Sequence, residues 1–292
     1  MTVIKNRSEI LFLYDVKNCN PNGDPMDANR PRINEDTGKC LVTDVRLKRT
    51  IRDHLFDSGY NGTEKNKDIF IRDEDGKVVT GNQRSLSYEN KDDFLKKFID
   101  VRLFGAVSAP KKENDKTFHF TGPVQFGMGV SLNRVKENLI KGTGAFATKE
   151  GSKQRTFREE YNITYGFIAF HGVINENAAK HTYTTEKDID ALMKGIWSGT
   201  KNLLTRSKKG HMPRLLIKID YQDGFFIGDL VERVSLILSE GQHEESIEDI
   251  SDFTVDTSSL NKVLQKYQDK ILKVTIEQDD RITLSEPIFT KQ

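Results

Sequence analysis

The 292-residue sequence predicts an α+β fold, and three observations carry that expectation. Strand-like and helix-like segments do not alternate strictly, which argues against a doubly wound parallel sheet. The first strand-like run, Glu9 to Val16 (EILFLYDV), is apolar on both faces and belongs inside a sheet. Two amphipathic helices, at 41–57 and 185–204, are each long enough to cover such a sheet.

After the first strand, Lys17 to Pro25 (KNCNPNGDP) holds two prolines, a glycine and three asparagines, so it reads as an ordered loop at a strand end. In 41–57 (LVTDVRLKRTIRDHLFD), Thr43 or Asp44 is the expected N-cap. Val45, Leu47, Ile51 and Leu55 form the apolar side, and Arg46, Lys48, Arg49 and Arg52 a basic rim. Residues 58–91 are polar and poor in apolar groups, as in an insertion. A short helix is expected at 92–104, a mobile loop at 105–116, and a strand over 118–132 broken at Gly122-Pro123. Residues 133–158 are basic, carry three glycines, and read as a protruding loop or hairpin. A β-rich run covers 160–174. The helix at 185–204 is followed by a basic turn, Thr205 to Gly210. Strands at 214–221 and 230–238, a helix at 258–269, and strands at 271–277 and 281–284 complete the chain. A ferredoxin-like or RNA-recognition-motif (RRM) sheet with long insertions fits this order best. It would be a single domain over 1–292.

Composition narrows the function. No stretch approaches 18 consecutive apolar residues, so no membrane span is expected. The first residues lack an apolar signal core, and the two cysteines, Cys19 and Cys40, exclude a disulfide scaffold. Both features suggest a cytoplasmic protein. Charge is segregated beneath the net value of +1. Residues 220–292 hold 16 Asp/Glu against 7 Lys/Arg, a net of −9, which leaves +10 for the remainder. Such segregation suits a polyanion-binding groove, or head-to-tail association of a basic face with an acidic one. The plainer reading of any single run is a solvated face.

The motifs GxxxxGK[ST], HExxH and GxSxG are absent, and no GxGxxG follows a strand. Asp15, Asp24 and Asp27 lie near one loop and are candidate metal ligands, but turn chemistry explains loop Asp and Asn residues as well. His119 and His171 sit in strand-like runs and could pair as acid and base, against the commoner role of a structural histidine. Trp197 is read as core. The basic clusters are the sharper signal. Lysines and arginines there would neutralise phosphates, and loop asparagines would bond riboses or base edges. Phe146 or Met128 would pack on an unstacked base. The common RNA-binding signature of RRM sheets is missing, so RNA is not expected on the sheet-face aromatics.

Three blocks together resemble a known family. They are Asp15 to Pro25 (DVKNCNPNGDP), Val42 to Asp53 (VTDVRLKRTIRD) and Thr205 to Gly210 (TRSKKG). Their order and spacing are similar to those of the Cas7 family, the backbone subunits of type I CRISPR Cascade complexes within the RAMP superfamily, with type I-B the nearest branch. The resemblance implies an RRM-like palm, a helical finger insertion at 58–116 and a thumb-like hairpin at 133–160. It implies copies stacked head to tail along CRISPR RNA, no cofactor and no catalysis. Partners would be Cas-five-type, large and small Cascade subunits, and target DNA paired to the guide in antiviral defence. The RNA contacts would come from Lys17, Asn18, Asn20, Asn22, Arg46, Lys48, Arg49, Arg52, Gln125, Phe146, Arg206, Ser207, Lys208 and Lys209. The alternative is a RAMP-superfamily endoribonuclease cutting guide precursor or target RNA, with Asp24 or His171 as the reactive group.

Overall fold

Strand β1 (Ser8–Cys19) lies in the middle of the main sheet, antiparallel to both neighbours. It runs three residues beyond the predicted end, taking Lys17, Asn18 and Cys19 out of the expected loop. A computed structural model describes residues 2–73, 77, 79–85, 90–108, 118–147 and 155–291. Elements follow β1 in the order β2 (Gly23–Asp24), β3 (Arg30–Pro31), β4 (Lys39–Val42), α1 (Asp44–Asp57), α2 (Gly81–Ser85), α3 (Lys91–Lys97), α4 (Ile99–Phe104), β5 (Gly105–Ser108), β6 (Phe118–Thr121), β7 (Val124–Phe126), β8 (Gly129–Arg134), β9 (Glu137–Ala147) and β10 (Arg155–Ile174). Then come α5 (Glu176–Thr182), α6 (Glu186–Lys201), β11 (His211–Tyr221), β12 (Ser235–Leu238), β13 (Phe253–Asp256), α7 (Ser258–Lys266) and β14 (Ile271–Gln278). The main sheet has the order β14-β11-β1-β10-β8-β4, and β7 and β9 pair along β10.

The two faces of β1 enter different cores. Ile10, Phe12, Tyr14 and Val16 meet Leu47, Ile51 and Leu55 of α1 and Ile189, Leu192 and Ile196 of α6. Leu11 and Leu13 lie in a second core with Leu230, Ile250, Phe253, Val255, Leu260 and Leu264 from the C-terminal third. Burying each such side chain contributes about 1.5–3 kcal/mol. The helices are well started. Thr43 caps α1 by accepting from the Arg46 amide, and Thr185 with Asp188 forms a capping box on α6. Asp188 also accepts from Arg102 at 2.7 and 3.1 Å, tying α4 to α6. Val45 is exposed rather than part of the apolar stripe. Two helical residues subtend about 200°, so Val45 and Leu47 cannot share a face. The helices α1 and α6 approach closely at two glycines. A Cβ on Gly195 would lie 2.9 Å from Ile51 Cγ2, and one on Gly199 3.1 Å from the Thr50 carbonyl.

Several expected elements differ. The helix at 92–104 is split into α3 and α4 at Phe98, whose extended backbone ends one and starts the other. Gly105–Ser108, expected as mobile loop, is strand β5 paired with β6, while 109–117 lie outside the described residues. The expected strand 118–132 is three strands. In 230–238 a 3-10 turn at Leu230–Arg233 precedes β12. At 281–284 a single bridge, Leu284 to Val255, replaces the strand. The helix α5 had no counterpart in the sequence reading.

The 58–116 insertion carries a small aromatic core of its own: Phe70, Phe94, Leu95, Phe98 and Val101. Phe70 and Phe98 meet Phe94 edge to face, with centroids 4.9 and 5.0 Å away. A buried ion pair joins it to α1. Arg52 Nε lies 2.9 Å from Asp100, and Asp100 also accepts from the Phe70 and Ile71 amides. Arg52 therefore leaves the predicted basic rim: the insertion covers that side of α1. Replacing Arg52 by Ala strands the Asp100 carboxylate and should cost about 3–5 kcal/mol in urea unfolding. Replacing exposed Arg49 by Ala should change stability by less than about 1 kcal/mol.

Candidate nucleic-acid interface

The asparagine loop is shaped by its own side chains. Asn22 Oδ1 accepts from both the amide (2.8 Å) and hydroxyl (2.9 Å) of Thr43, so the loop is fastened to the N-terminus of α1. Asn20 is buried, and its Nδ2 donates to the carbonyls of Asn29 (2.7 Å) and Tyr161 (3.4 Å). Asn20 is therefore structural, whereas Asn18 is exposed and takes a left-handed backbone at φ 50°. Beyond the loop, β2 and β3 form a small hairpin whose tip presents Met26, 92% exposed.

The 205–210 turn clamps this loop from the other side. The Lys17 amide donates to the Gly210 carbonyl (3.0 Å) and the Asn20 amide to that of Ser207 (3.1 Å). Lys208 Nζ donates to the carbonyls of Asn20 and Pro21. Lys208 is thus a strut rather than a free rim cation. Burial pushes its ammonium down to about 8, with nearby Arg46 adding to the effect. Arg206 pairs with Glu160 of β10, while Lys209 is exposed.

On α1, Lys48 reaches Asp44 (3.0 Å) and Gln125 Oε1 (3.4 Å), bringing Gln125 to the rim. Arg49 is exposed and paired with Asp53. Arg46 is half-buried beside a crevice of about 10 Å³ that Tyr14, Thr50, Thr200 and His211 also line. Lys17 points toward the C-terminal third and pairs with Asp249 at 2.9 Å. Met128 is exposed. Phe146 falls within β9, its side chain outside the described residues, and residues 148–154 lie outside them altogether. The antiparallel arms Glu137–Ala147 and 155–163 run into the base of the loop, where Arg30 grips Glu137 bidentately at 3.0 and 2.5 Å.

The structure brings the asparagine loop, the 205–210 turn, the α1 rim and the hairpin base together, and separates the catalytic candidates. His119 is on β6, in a two-stranded sheet apart from His171 on β10. His171 Nε2 lies 2.8 Å from the buried Glu9 carboxylate, which Tyr221 and two loop amides also engage. Asp15 is buried against Arg214 and Tyr165, and Asp24 pairs with Arg32 at 2.8 Å. Among the described residues no three His, Cys, Asp or Glu side chains form a metal-binding group. Among the described residues no helix is long and apolar enough to cross a membrane. Trp197 packs partly buried against the α1/α6 core.

Sequence reasoning missed His211, which follows the basic turn without periodic signal. It is buried, stacks on Tyr14 at 5.9 Å and donates from Nδ1 to the Lys208 carbonyl (2.6 Å). Burial first, and the cations Lys208 and Arg46 next, push it down to about 3. Between about 3 and the unfolded value near 6.5, the unfolded chain binds the extra proton, so stability rises with pH across that window. Urea midpoints should fall from pH 7 to pH 4.5. The fall should be shallower in His211→Phe, which keeps the stack and removes the titration.

The family model for CRISPR-associated protein Cas7 matches residues 6–258. A CRISPR-associated protein Cas7 of Haloferax volcanii is 34% identical over 311 residues, covering 96% of this chain and 88% of its own. Two solved structures share the fold. A chain of a CRISPR RNA-guided surveillance complex aligns with TM-score 0.52 at 12% identity, covering 90% of this chain and 84% of that one. A chain of a pre-nicking CRISPR RNA-guided surveillance complex aligns with TM-score 0.52 at 10% identity, covering 96% of each.

Proposed function

The chain belongs to the Cas7 family of CRISPR-associated proteins, and from that premise we propose that it is the guide-RNA-binding backbone subunit of a CRISPR surveillance complex. The observation that carries this reading is the rim at the end of β1. There the asparagine loop, the 205–210 turn and the α1 N-terminus are locked together by backbone bonds, the Asn22 side chain and Lys208, leaving Arg46, Arg49, Lys48 and Lys209 around it. Cations on so fixed a frame suit the repeating phosphates of RNA and not its sequence. The order β11-β1-β10-β8, with α1 and α6 on one face, supports reading the sheet as an RRM-like palm. The opposite face, where RRM aromatics stack bases, is filled by the C-terminal third, so contacts pass to the rim. The 58–116 insertion serves as finger and the β9/β10 hairpin as thumb. Further copies stack head to tail in a type I complex, closest to I-B, in the cytoplasm. Cas-five-type, large and small subunits join them, and target DNA pairs with the guide.

The protein acts without catalysis in this reading, and no cofactor is required. Asp24 held by Arg32 and His171 held by Glu9 support that role over an endoribonuclease. Light scattering with guide-length single-stranded RNA should show a multi-copy particle, and a gel should show the RNA intact with Mg²⁺ present. A monomer with cut RNA would favour the endoribonuclease. The double variant Arg49→Ala/Lys209→Ala should weaken RNA binding without unfolding. It should also lower the slope of log K against log salt by about 1.4, the value for two lost single-strand phosphate contacts. An unchanged slope would remove both residues from the interface.

A further inference from the structure

Residues 239–252 (SEGQHEESIEDISD) hold six acids, Glu240, Glu244, Glu245, Glu248, Asp249 and Asp252, and neither Lys nor Arg. Three of them, Glu244, Glu245 and Asp249, are engaged by groups of the main sheet. Glu245 lies 2.5 Å from Arg134 Nε, and Glu244 accepts from the Arg134 amide at 2.6 Å. Asp249 Oδ2 lies 2.9 Å from Lys17 Nζ. These cations stand on the two strands that flank β10, β1 and β8, at the same end of the sheet: Lys17 pairs with Tyr165, and Asn133 Nδ2 donates to the Tyr165 carbonyl. The acidic segment therefore crosses the strand ends beside the asparagine loop and the hairpin base.

We infer that this segment is a built-in stand-in for RNA phosphates, occupying Lys17 and Arg134 until a polyanion displaces it. The inference rests on the RNA-binding reading given above. Three observations support exchange over permanent bracing. Lys17 and Arg134 are 46% and 50% exposed, unlike the buried Arg52–Asp100 and Arg214–Asp15 pairs, so their pairs are weak and open to competition. Asp249 has a second cation waiting: its Oδ1 lies 2.6 Å from Arg281 and also accepts from Ser251, so losing Lys17 leaves it paired. The turn is pinned by buried Ile247 and Ile250, so its carboxylates stay close and compete at high local concentration. The effect is to suppress weak binding to short or scattered anions, while a strand that fills the whole rim overcomes it.

The test is anisotropy with guide-length oligouridine across a potassium chloride series, using wild type and Glu244→Gln/Glu245→Gln/Asp249→Asn. These changes keep side-chain shape and the Ser251 cap. The triple variant should bind about five- to tenfold more tightly at low salt, as expected for removing two or three surface pairs. Unchanged or weaker binding by the variant, with wild type still binding RNA, overturns this inference alone. Wild type failing to bind RNA overturns the RNA-binding reading and this inference with it. Hydrogen exchange on the wild-type protein gives an independent readout. The Arg134 amide, bonded to Glu244 in the free protein, should exchange faster once RNA is bound; equal or slower exchange overturns the displacement.

Discussion

Strand β1 is apolar on both faces, and that constraint organises everything else. A strand with Ile10, Phe12, Tyr14 and Val16 on one side and Leu11 and Leu13 on the other needs two roofs. The helices α1 and α6 supply one. The C-terminal third supplies the other, and is fastened by a charged spine through the second core. Asp15 faces Arg214 at 2.8 Å, Tyr165 donates to Asp15, and Arg214 reaches on to Asp279. With both faces of β1 closed, the middle of the sheet is buried on either side. Polar and basic chemistry is left to the strand ends and to the loops that leave them.

That displacement explains which features were legible in the sequence. The double-faced pattern of β1, the Thr43 cap of α1 and the Thr185 start of α6 are local signals, and local physics produces them. The three polar blocks were equally visible, and the fold brings them together. Roles within the blocks were not. Asn20, Lys208 and Arg52 carry the same residue types as genuine rim groups, but each is consumed by a partner far away in the chain: Tyr161, Pro21 and Asp100. No periodicity encodes such a pairing. The His119 and His171 pair failed for the same reason, since strand-like sequence does not say which sheet a strand joins.

The loop at the end of β1 shows how polar bonds fix a surface at the margin of a hydrophobic core. Backbone bonds from Lys17 and Asn20 reach the 205–210 turn, and Asn22 reaches Thr43. The Lys208 ammonium sits on the backbone carbonyls of Asn20 and Pro21. Each bond alone is worth about 1 kcal/mol. Their value is collective, because they remove the freedom the loop would lose on binding. Charge has been traded for order: the strut gives up a contact so that its neighbours hold theirs in place.

The glycine pair on α6 has a consequence for how such a surface drifts over evolutionary time. Gly195 and Gly199 let α1 settle closely on α6, with Ile51 Cγ2 against the first and the Thr50 carbonyl against the second, and the basic rim rides on the outward side of α1. Helix separation is therefore a ruler for where the rim stands. A methyl group at either position would lift α1, carrying Arg46 and Arg49 with it, although neither glycine would ever touch a ligand. A substitution at either site would shift the reach of the rim from within the core, with every surface residue unchanged.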